Sequence, residues 1–382
     1  VTTHHLSPGS EFPTATDDVP VWDAVVIGAG QAGLSAAHHL QRRGVRAVVL
    51  DANEGPGGAW RHRWDSLLMN GVHGVSDLPD APAPEESTEQ ANQVIPAWFG
   101  RYEHDQHLDV RRPIRVTRVS ALSPAPDSLL RVETEGGAVF LTRTLVNATG
   151  TWDRPFVPHV AGRGLFGGRE MHAADYRGAE ELRGLTVAVV GAGASAVQLI
   201  GEIAPVTTTR WFTRREPRWA NGFDGLAAVT RVEERVRAGL PPESVVSLTG
   251  LTLRPQEQEA AALGAYRRIP MFTALTEHGV VLQDGTELDV DVVLWATGFR
   301  HAISHLAPLK LRSEHGGVAL LTGPFGPQSA TTAATDPRIQ LVGYGPSAST
   351  IGANRAGMAA AIAVRKHLAT LAASASGQDS VA

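Results

Sequence analysis

Apolar residues run unbroken from Ala24 to Ile27, and the chain then passes through Gly28-Ala29-Gly30-Gln31-Ala32-Gly33. A continuous apolar run closed by glycines reads as a buried strand, so residues 21–33 predict strand, turn and helix start. A second apolar strand follows at 45–50. The same succession returns later, with a strand over 185–190, the turn Gly191-Ala192-Gly193-Ala194-Ser195-Ala196, a helix over 197–203 and a strand over 207–212. Between the two, the pattern predicts a helix over 96–106 and strands at 114–119, 129–134 and 138–141. Glu135-Gly136-Gly137 forms the turn between the last two, and a short buried strand within 145–150 ends in Ala148-Thr149-Gly150. Residues 226–268 read as mostly helical, and 279–282 and 287–290 flank an Asp284-Gly285 hairpin turn. The strand within 292–300 again ends in Ala296-Thr297-Gly298, and a strand at 339–342 precedes an alanine-rich helix over 353–371. Strands alternating with helices predict an α/β fold. It is read as two Rossmann-like dinucleotide-binding domains, the second inserted in the first. The boundaries are 20–160 and 301–372 for the two parts of the first and 161–300 for the second, with 1–19 and 373–382 as flexible termini.

The chemistry follows from where the glycines fall. Gly28 permits the tight turn, Gly30 lets the backbone approach a pyrophosphate and Gly33 lets the helix pack close on the strand, while the helix N-terminus offers free N–H groups and positive potential. Asp51 closes the next strand 23 residues beyond Gly28, where an acid holds a ribose diol. Arg214 lies the same 23 residues beyond Gly191. An acid there repels a phosphate, whereas Arg214, with Arg215 beside it, suits the 2′-phosphate of NADPH; a solvated basic turn is the other reading. The Gly57-Gly58-Ala59-Trp60 loop suits a flat ring system, although Trp60 equally suits a core. Asn70-Gly71 is both a turn signal and a hydrogen-bonding pair within a lining segment. The helix after Gly352 presents its N-terminus to whatever ring lies there.

Composition narrows this picture. The 382 residues, 43% of them hydrophobic, suffice for buried cores. A formal net charge of -5 and a pI near 6.3 leave no basic excess for a nucleic acid or an anionic membrane, and neither partner is expected. No apolar run is long enough for a membrane span and residues 1–20 lack the shape of a signal peptide, so a soluble cytoplasmic protein is expected. His4, His5 and Gly9-Ser10-Glu11-Phe12 read as tag and linker residues and stand outside the functional argument. Zero cysteines exclude a redox-active dithiol and thiolate metal sites, and no metal is expected.

Phe166-Gly167-Gly168-Arg169-Glu170-Met171-His172-Ala173-Ala174-Asp175-Tyr176 fits the pattern F-x-G-x-x-x-H-x-x-x-(Y/F) just ahead of the second glycine turn. Together with the paired glycine motifs, it makes residues 20–372 resemble the flavin-containing monooxygenases. Relatives that perform Baeyer–Villiger insertion carry Trp in the last place, followed by Pro or Asp; Tyr176 followed by Arg177 therefore implies heteroatom oxygenation. By this resemblance Gly28, Gly30, Gln31, Gly33 and Asp51 hold the ADP part of FAD, with Gly58 and Trp60 near its flavin half and Val119 by the adenine. Gly191, Gly193, Ser195, Arg214 and Arg215 hold NADPH. Thr149, Gly150, Thr297, Gly298, Ile351 and Gly352 add cofactor contacts, His172 ties the two domains near the pyridine nucleotide, and Asn70 lies against the reactive flavin edge as the catalytic candidate. The implied reaction is reduction of FAD by NADPH, addition of dioxygen at flavin C4a, and transfer of one oxygen from the hydroperoxide to a soft nitrogen or sulfur nucleophile of a small molecule. Ketone oxygenation, an NADPH-dependent flavoprotein reductase serving a ferredoxin-like carrier, and a non-enzymatic nucleotide sensor stay open. The oligomeric state is not fixed by the sequence, with a homodimer left open.

Overall fold

The computed structural model describes residues 19–72, 75–217, 219, 225–242, 251, 253–325, 329–348 and 350–378. In chain order, β1 (Val21–Ile27) leads into α1 (Gln31–Gln41) and β2 (Ala47–Leu50), followed by α2 (Ala91–Asp105), β3 (Val110–Arg111), β4 (Val116–Ala121), β5 (Leu130–Thr134) and β6 (Val139–Asn147). Next come β7 (Arg169–His172), β8 (Thr186–Val190), α3 (Ala194–Ile203), β9 (Thr208–Thr213), α4 (Gly225–Arg237) and α5 (Pro255–Ala262). The short β10 (Arg268–Pro270), β11 (Ala274–Leu275), β12 (Gly279–Val281) and β13 (Glu287–Asp289) precede β14 (Val292–Trp295). The chain ends with β15 (Thr332–Ala333), β16 (Asp336–Leu341) and α6 (Thr350–Gln378).

These strands make an α/β fold with two largely parallel sheets. The first runs β15-β16-β6-β1-β2-β3, with the β4–β5 hairpin attached to β6. Its register sets Ile27 opposite both Leu50 and Asn147, and Leu341 opposite Asn147, so four carboxyl ends form one row. The second sheet, β10-β9-β8-β14-β7, is parallel throughout and aligns Phe212, Val190, Trp295 and His172 in the same way. A third, antiparallel sheet of β11, β12 and β13 adjoins it, and β12 and β13 form the hairpin expected around Asp284-Gly285. The chain leaves the first sheet after β6, builds the second, and returns at β15 and β16. Ligands of open α/β sheets bind beyond the carboxyl ends of the strands, so both rows mark candidate edges.

Four elements depart from the sequence pattern. α2 begins at Ala91, five residues before the expected start, and carries Pro96 inside it. Ala91, Ile95, Trp98, Phe99 and Tyr102 form one buried face, and its burial outweighs the hydrogen bond that proline cannot make. β6 is one strand of nine residues rather than two short ones. Thr142 and Thr144, which broke the apolar run, donate their hydroxyls to the Trp22 and Asp23 carbonyls and so sit buried in the strand. α5 stops at Ala262, short of the largely helical span expected to 268, and the chain turns at Gly264 (φ 75). α6 continues to Gln378, past the helix end expected at 371. The tag-like residues 1–12 lie outside the described residues.

Candidate active site

The two glycine turns are built alike. A Cβ on Gly28 (φ 98) would lie 2.6 Å from the Ala148 carbonyl oxygen, and one on Gly33 would lie 1.8 Å from the Gly28 oxygen. On Gly30 it would meet nothing within 4 Å. In the second turn, a Cβ on Gly191 (φ 138) would lie 2.2 Å from the Ala296 oxygen, and one on Gly193 would again meet nothing within 4 Å. Protein backbone thus fills the space at Gly28, Gly33 and Gly191 and leaves that at Gly30 and Gly193 clear. Gly30 and Gly193 are the N-caps of α1 and α3, with no side-chain cap and no acidic residue in either first turn. Their N–H groups and positive dipole ends face the cleared space, which is the chemistry a phosphate needs. Gln31, first in α1, is buried, and its Nε2 donates to the Ser76 carbonyl at 2.6 Å. Ser195 is half-buried in the first turn of α3.

The two turns carry opposite charges at the ends of their second strands. Asp51 is buried; its Oδ2 accepts Arg112 Nε at 2.8 Å and its Oδ1 accepts Asn53 Nδ2 at 3.1 Å. Arg112 is held in turn by Glu103 of α2 through two bonds of 2.7 Å. Burial works against the Arg112 charge, but the hydrogen bonds to Glu103 and Asp51 outweigh it and raise its pKa. A carboxylate offers about four acceptor positions. With two of them taken, Asp51 keeps two, the number a ribose diol requires. Sequence reading missed Arg112, Glu103 and Asn53, because only the pairing of β3 with β2 brings Arg112 beside Asp51. Arg214 and Arg215 follow β9 directly and are exposed, and no described carboxylate pairs with either.

A third group of residues joins the two units. Gly58 opens the turn Gly58–His62, and a Cβ on it would lie 2.9 Å from Gly30 Cα, so this loop lies against the first cradle. Trp60 is half-buried and packs on the main core. His62 reaches Asn53 Oδ1 at 2.7 Å and stacks on Trp152; Trp152 stacks on Phe299, whose ring meets His172 edge-on at 4.9 Å. His172 is buried, which lowers its pKa; its Nε2 donates to the Gly298 carbonyl at 3.0 Å and its Nδ1 accepts the Ala174 N–H at 3.1 Å. With both nitrogens engaged, the ring is a neutral tie. Tyr176 of the same fingerprint is buried edge-on to Trp64. The Thr149 hydroxyl donates to the Ala302 carbonyl at 2.7 Å and the Thr297 hydroxyl to the Phe156 carbonyl. Gly150 and Gly298 accept the Ala302 and Phe156 N–H groups. The two Ala-Thr-Gly endings therefore clasp the segments by which the chain leaves and re-enters the first sheet.

Asn70 is exposed in the turn Met69–Gly71, whose Gly71 carbonyl accepts Gln198 Nε2 at 3.2 Å and Arg254 Nη1. Gly352 is buried in the first turn of α6, and the Ile351 side chain lies outside the described residues. Val119, expected beside the adenine, has its side chain fully buried in β4 among apolar residues. Among the described residues there is no group of His, Asp and Glu that could hold a metal ion, and no helix long and apolar enough to cross a membrane.

Two uncapped glycine cradles, one followed by a buried acid and one by exposed arginines, are the arrangement of a dinucleotide-dependent oxidoreductase. The family model of the pyridine nucleotide-disulphide oxidoreductases matches residues 22–322. A flavin-containing monooxygenase from Stenotrophomonas maltophilia is 34% identical, with a TM-score of 0.77 over 92% of this chain and 99% of that one. Indole-3-pyruvate monooxygenase YUCCA1 of Oryza sativa subsp. japonica is 29% identical over 72% of this chain and 76% of its own. Cyclohexanone monooxygenase from Rhodococcus sp. Phi1, solved with NADP+ bound, is 20% identical with a TM-score of 0.60 over 91% of this chain and 86% of that one, a likeness of fold. The chain belongs to the pyridine nucleotide-disulphide oxidoreductase family and, within it, to the flavin-containing monooxygenases. It is an FAD- and NADPH-dependent monooxygenase. The dithiol chemistry in the wider family's name is closed to a chain without cysteine.

Proposed function

We propose that residues 20–160 and 301–372 bind FAD, that the inserted residues 161–300 bind NADPH, and that one atom of dioxygen passes to a soft nitrogen or sulfur nucleophile of a small molecule. The observation that carries this is the pairing of two open cradles with opposite labels. Asp51, aligned by Arg112, accepts the two hydroxyls of an unphosphorylated ribose, while Arg214 and Arg215 offer unopposed charge to a 2′-phosphate. Gly28, Gly30 and Gly33 receive one pyrophosphate and Gly191, Gly193 and Ser195 the other. Bound FAD, reduced by NADPH, supplies the activated oxygen. The protein binds, aligns and dries the site: the Gly58–His62 loop and Trp60 cover the first cradle, and the His62-Trp152-Phe299-His172 stack sets one unit against the other. Asn70 offers a neutral amide near the reacting edge, with no acid to hasten loss of oxygen. Tyr176 followed by Arg177, in place of Trp followed by Pro or Asp, supports heteroatom over ketone oxygenation.

The test is a product balance. Purified protein should be yellow and should consume NADPH and dioxygen in equal amounts while converting a thioether to its sulfoxide. A ketone converted to an ester with the thioether untouched would assign Baeyer–Villiger chemistry instead, and electron delivery only to a protein carrier would assign a reductase. Arg214→Ala should erode the preference for NADPH over NADH by about 1–3 kcal/mol, the scale of a charge-assisted hydrogen bond. An unchanged cofactor ratio would remove Arg214 from this role.

A further inference from the structure

Arg63 follows the Gly58–His62 turn and lies between two indoles. Its guanidinium carbon is 5.5 Å from the Trp60 ring centroid and 4.9 Å from that of Trp152. Its Nε is buried and has no acceptor, and no described carboxylate pairs with it. Burial pulls its pKa down to about 10, so the charge persists at neutral pH. The neighbouring arginines differ: Arg61 donates to the Pro56 carbonyl, Arg112 to Asp51 and Glu103, and Arg177 to the Ala174 and Tyr176 carbonyls. Nothing is loose about the Arg63 backbone, whose N–H reaches the Trp60 carbonyl and whose own carbonyl accepts Asn92 Nδ2 at 3.0 Å. Withdrawing part of a cation from water without an anion opposes folding, and two indole faces offset only part of that cost. Such a charge is pre-organised for an anion that arrives later.

The surroundings say which kind of anion. Gly58, which opens the turn ending beside Arg63, abuts Gly30 of the first cradle, and Trp152 stacks on Phe299 at the carboxyl edge of the second sheet. Arg63 thus stands between the loop that lies against the first cradle and the stack that reaches the second sheet, and a dinucleotide carries a pyrophosphate. We propose that Arg63 is an oxyanion-binding residue that receives a pyrophosphate oxygen of a bound dinucleotide, with Trp60 and Trp152 holding the guanidinium edge-on to it. The inference rests on the assignment of FAD and NADPH to the two cradles.

Arg63→Gln and Arg63→Lys separate the possibilities. One arm titrates apo-protein with FAD, and the other titrates oxidised holoenzyme with NADP+, both by flavin fluorescence and at two salt concentrations. Arg63→Gln should weaken one of these affinities about tenfold and flatten its salt dependence, with partial rescue in Arg63→Lys, and the arm that moves names the source. Apo-protein stability should hold or rise in Arg63→Gln, because an unanswered charge is removed; a merely structural arginine predicts the reverse. Unchanged affinities in both arms would overturn the proposal for Arg63 alone. A parent apo-protein that takes up neither nucleotide would overturn the cradle assignment, and this proposal with it.

Discussion

Glycine decides the site at the scale of single residues, and it does so in two different ways. At Gly33 a methyl group would meet backbone 1.8 Å away, so Gly33→Ala must push α1 off β1. Overpacking of that kind costs about 1–3 kcal/mol, and the thermal midpoint of the apo-protein should fall accordingly. At Gly30 the same methyl meets nothing within 4 Å of protein. Gly30→Ala should therefore leave apo-protein stability as it is and strip the purified protein of FAD, read as the ratio of flavin to protein absorbance. Equal loss of stability in the two variants would mean that the Gly30 space is not kept for a ligand. This division was legible in the sequence, since Gly28, Gly30 and Gly33 stand at the spacing that a strand, turn and helix impose. What stayed hidden is the setting of Asp51. Arg112 and Glu103 lie 61 and 52 residues further on, and no periodicity links a carboxylate to a guanidinium that reaches it across strands. The packing of Val119 was hidden for a complementary reason: an apolar residue on a strand has two faces to choose from, and here its side chain joins the core.

Elements were legible where one period ran unbroken and were misread where packing overrode a local signal. Pro96 looks like a helix start by propensity, but the buried row from Ala91 to Tyr102 extends α2 past it. The strand β7, inside the Phe166 to Tyr176 fingerprint, is only four residues long and takes its place from pairing with β14. The contact of α1 with α6 was equally out of reach, because the alanines of both helices give no directional pattern. That contact is close: a Cβ on Gly357 would lie 2.5 Å from Ser35 Oγ and 2.8 Å from the Ala36 nitrogen. The two helices carry the first-cradle N-terminus and Gly352, so their separation sets the space between the two ends of the proposed FAD site. Gly357→Val should destabilise the protein by about 1–3 kcal/mol in urea unfolding and lower FAD affinity as well, whereas Ala373→Val at an exposed position of α6 should do neither.

Over the whole molecule, stability and chemistry depend on ties between the two units and on groups buried where the chain crosses between them. His301, packed against Tyr344, and His305, which reaches Asn147 Oδ1 at 2.7 Å, lie just beyond the second Ala-Thr-Gly ending; burial pulls the pKa of each to about 4 from 6.5. The folded protein refuses a proton that the unfolded chain accepts. Their contribution is therefore complete above pH 6.5 and is lost as the pH falls toward 4. Each adds up to about 1.4 kcal/mol per pH unit to that slope, and His301→Phe should remove one such share in unfolding measured across the acid range. The turn carrying Asn70 belongs, on the proposed function, to the chemistry instead. Its Gly71 carbonyl is gripped by Gln198 and Arg254 and its Asn70 N–H by the Ser87 carbonyl, so the backbone is fixed from both units while the Asn70 side chain stays exposed. Asn70→Leu leaves every one of those main-chain bonds in place. FAD content and the anaerobic rate of flavin bleaching by NADPH should accordingly match the parent, since neither needs the amide. Oxygen transfer should suffer: less thioether oxide and more hydrogen peroxide per NADPH consumed, because a leucine cannot donate a hydrogen bond to developing negative charge on oxygen. Peroxide yield at saturating thioether measures this directly. A variant as well coupled as the parent would reduce Asn70 to the turn residue that its pairing with Gly71 already explains.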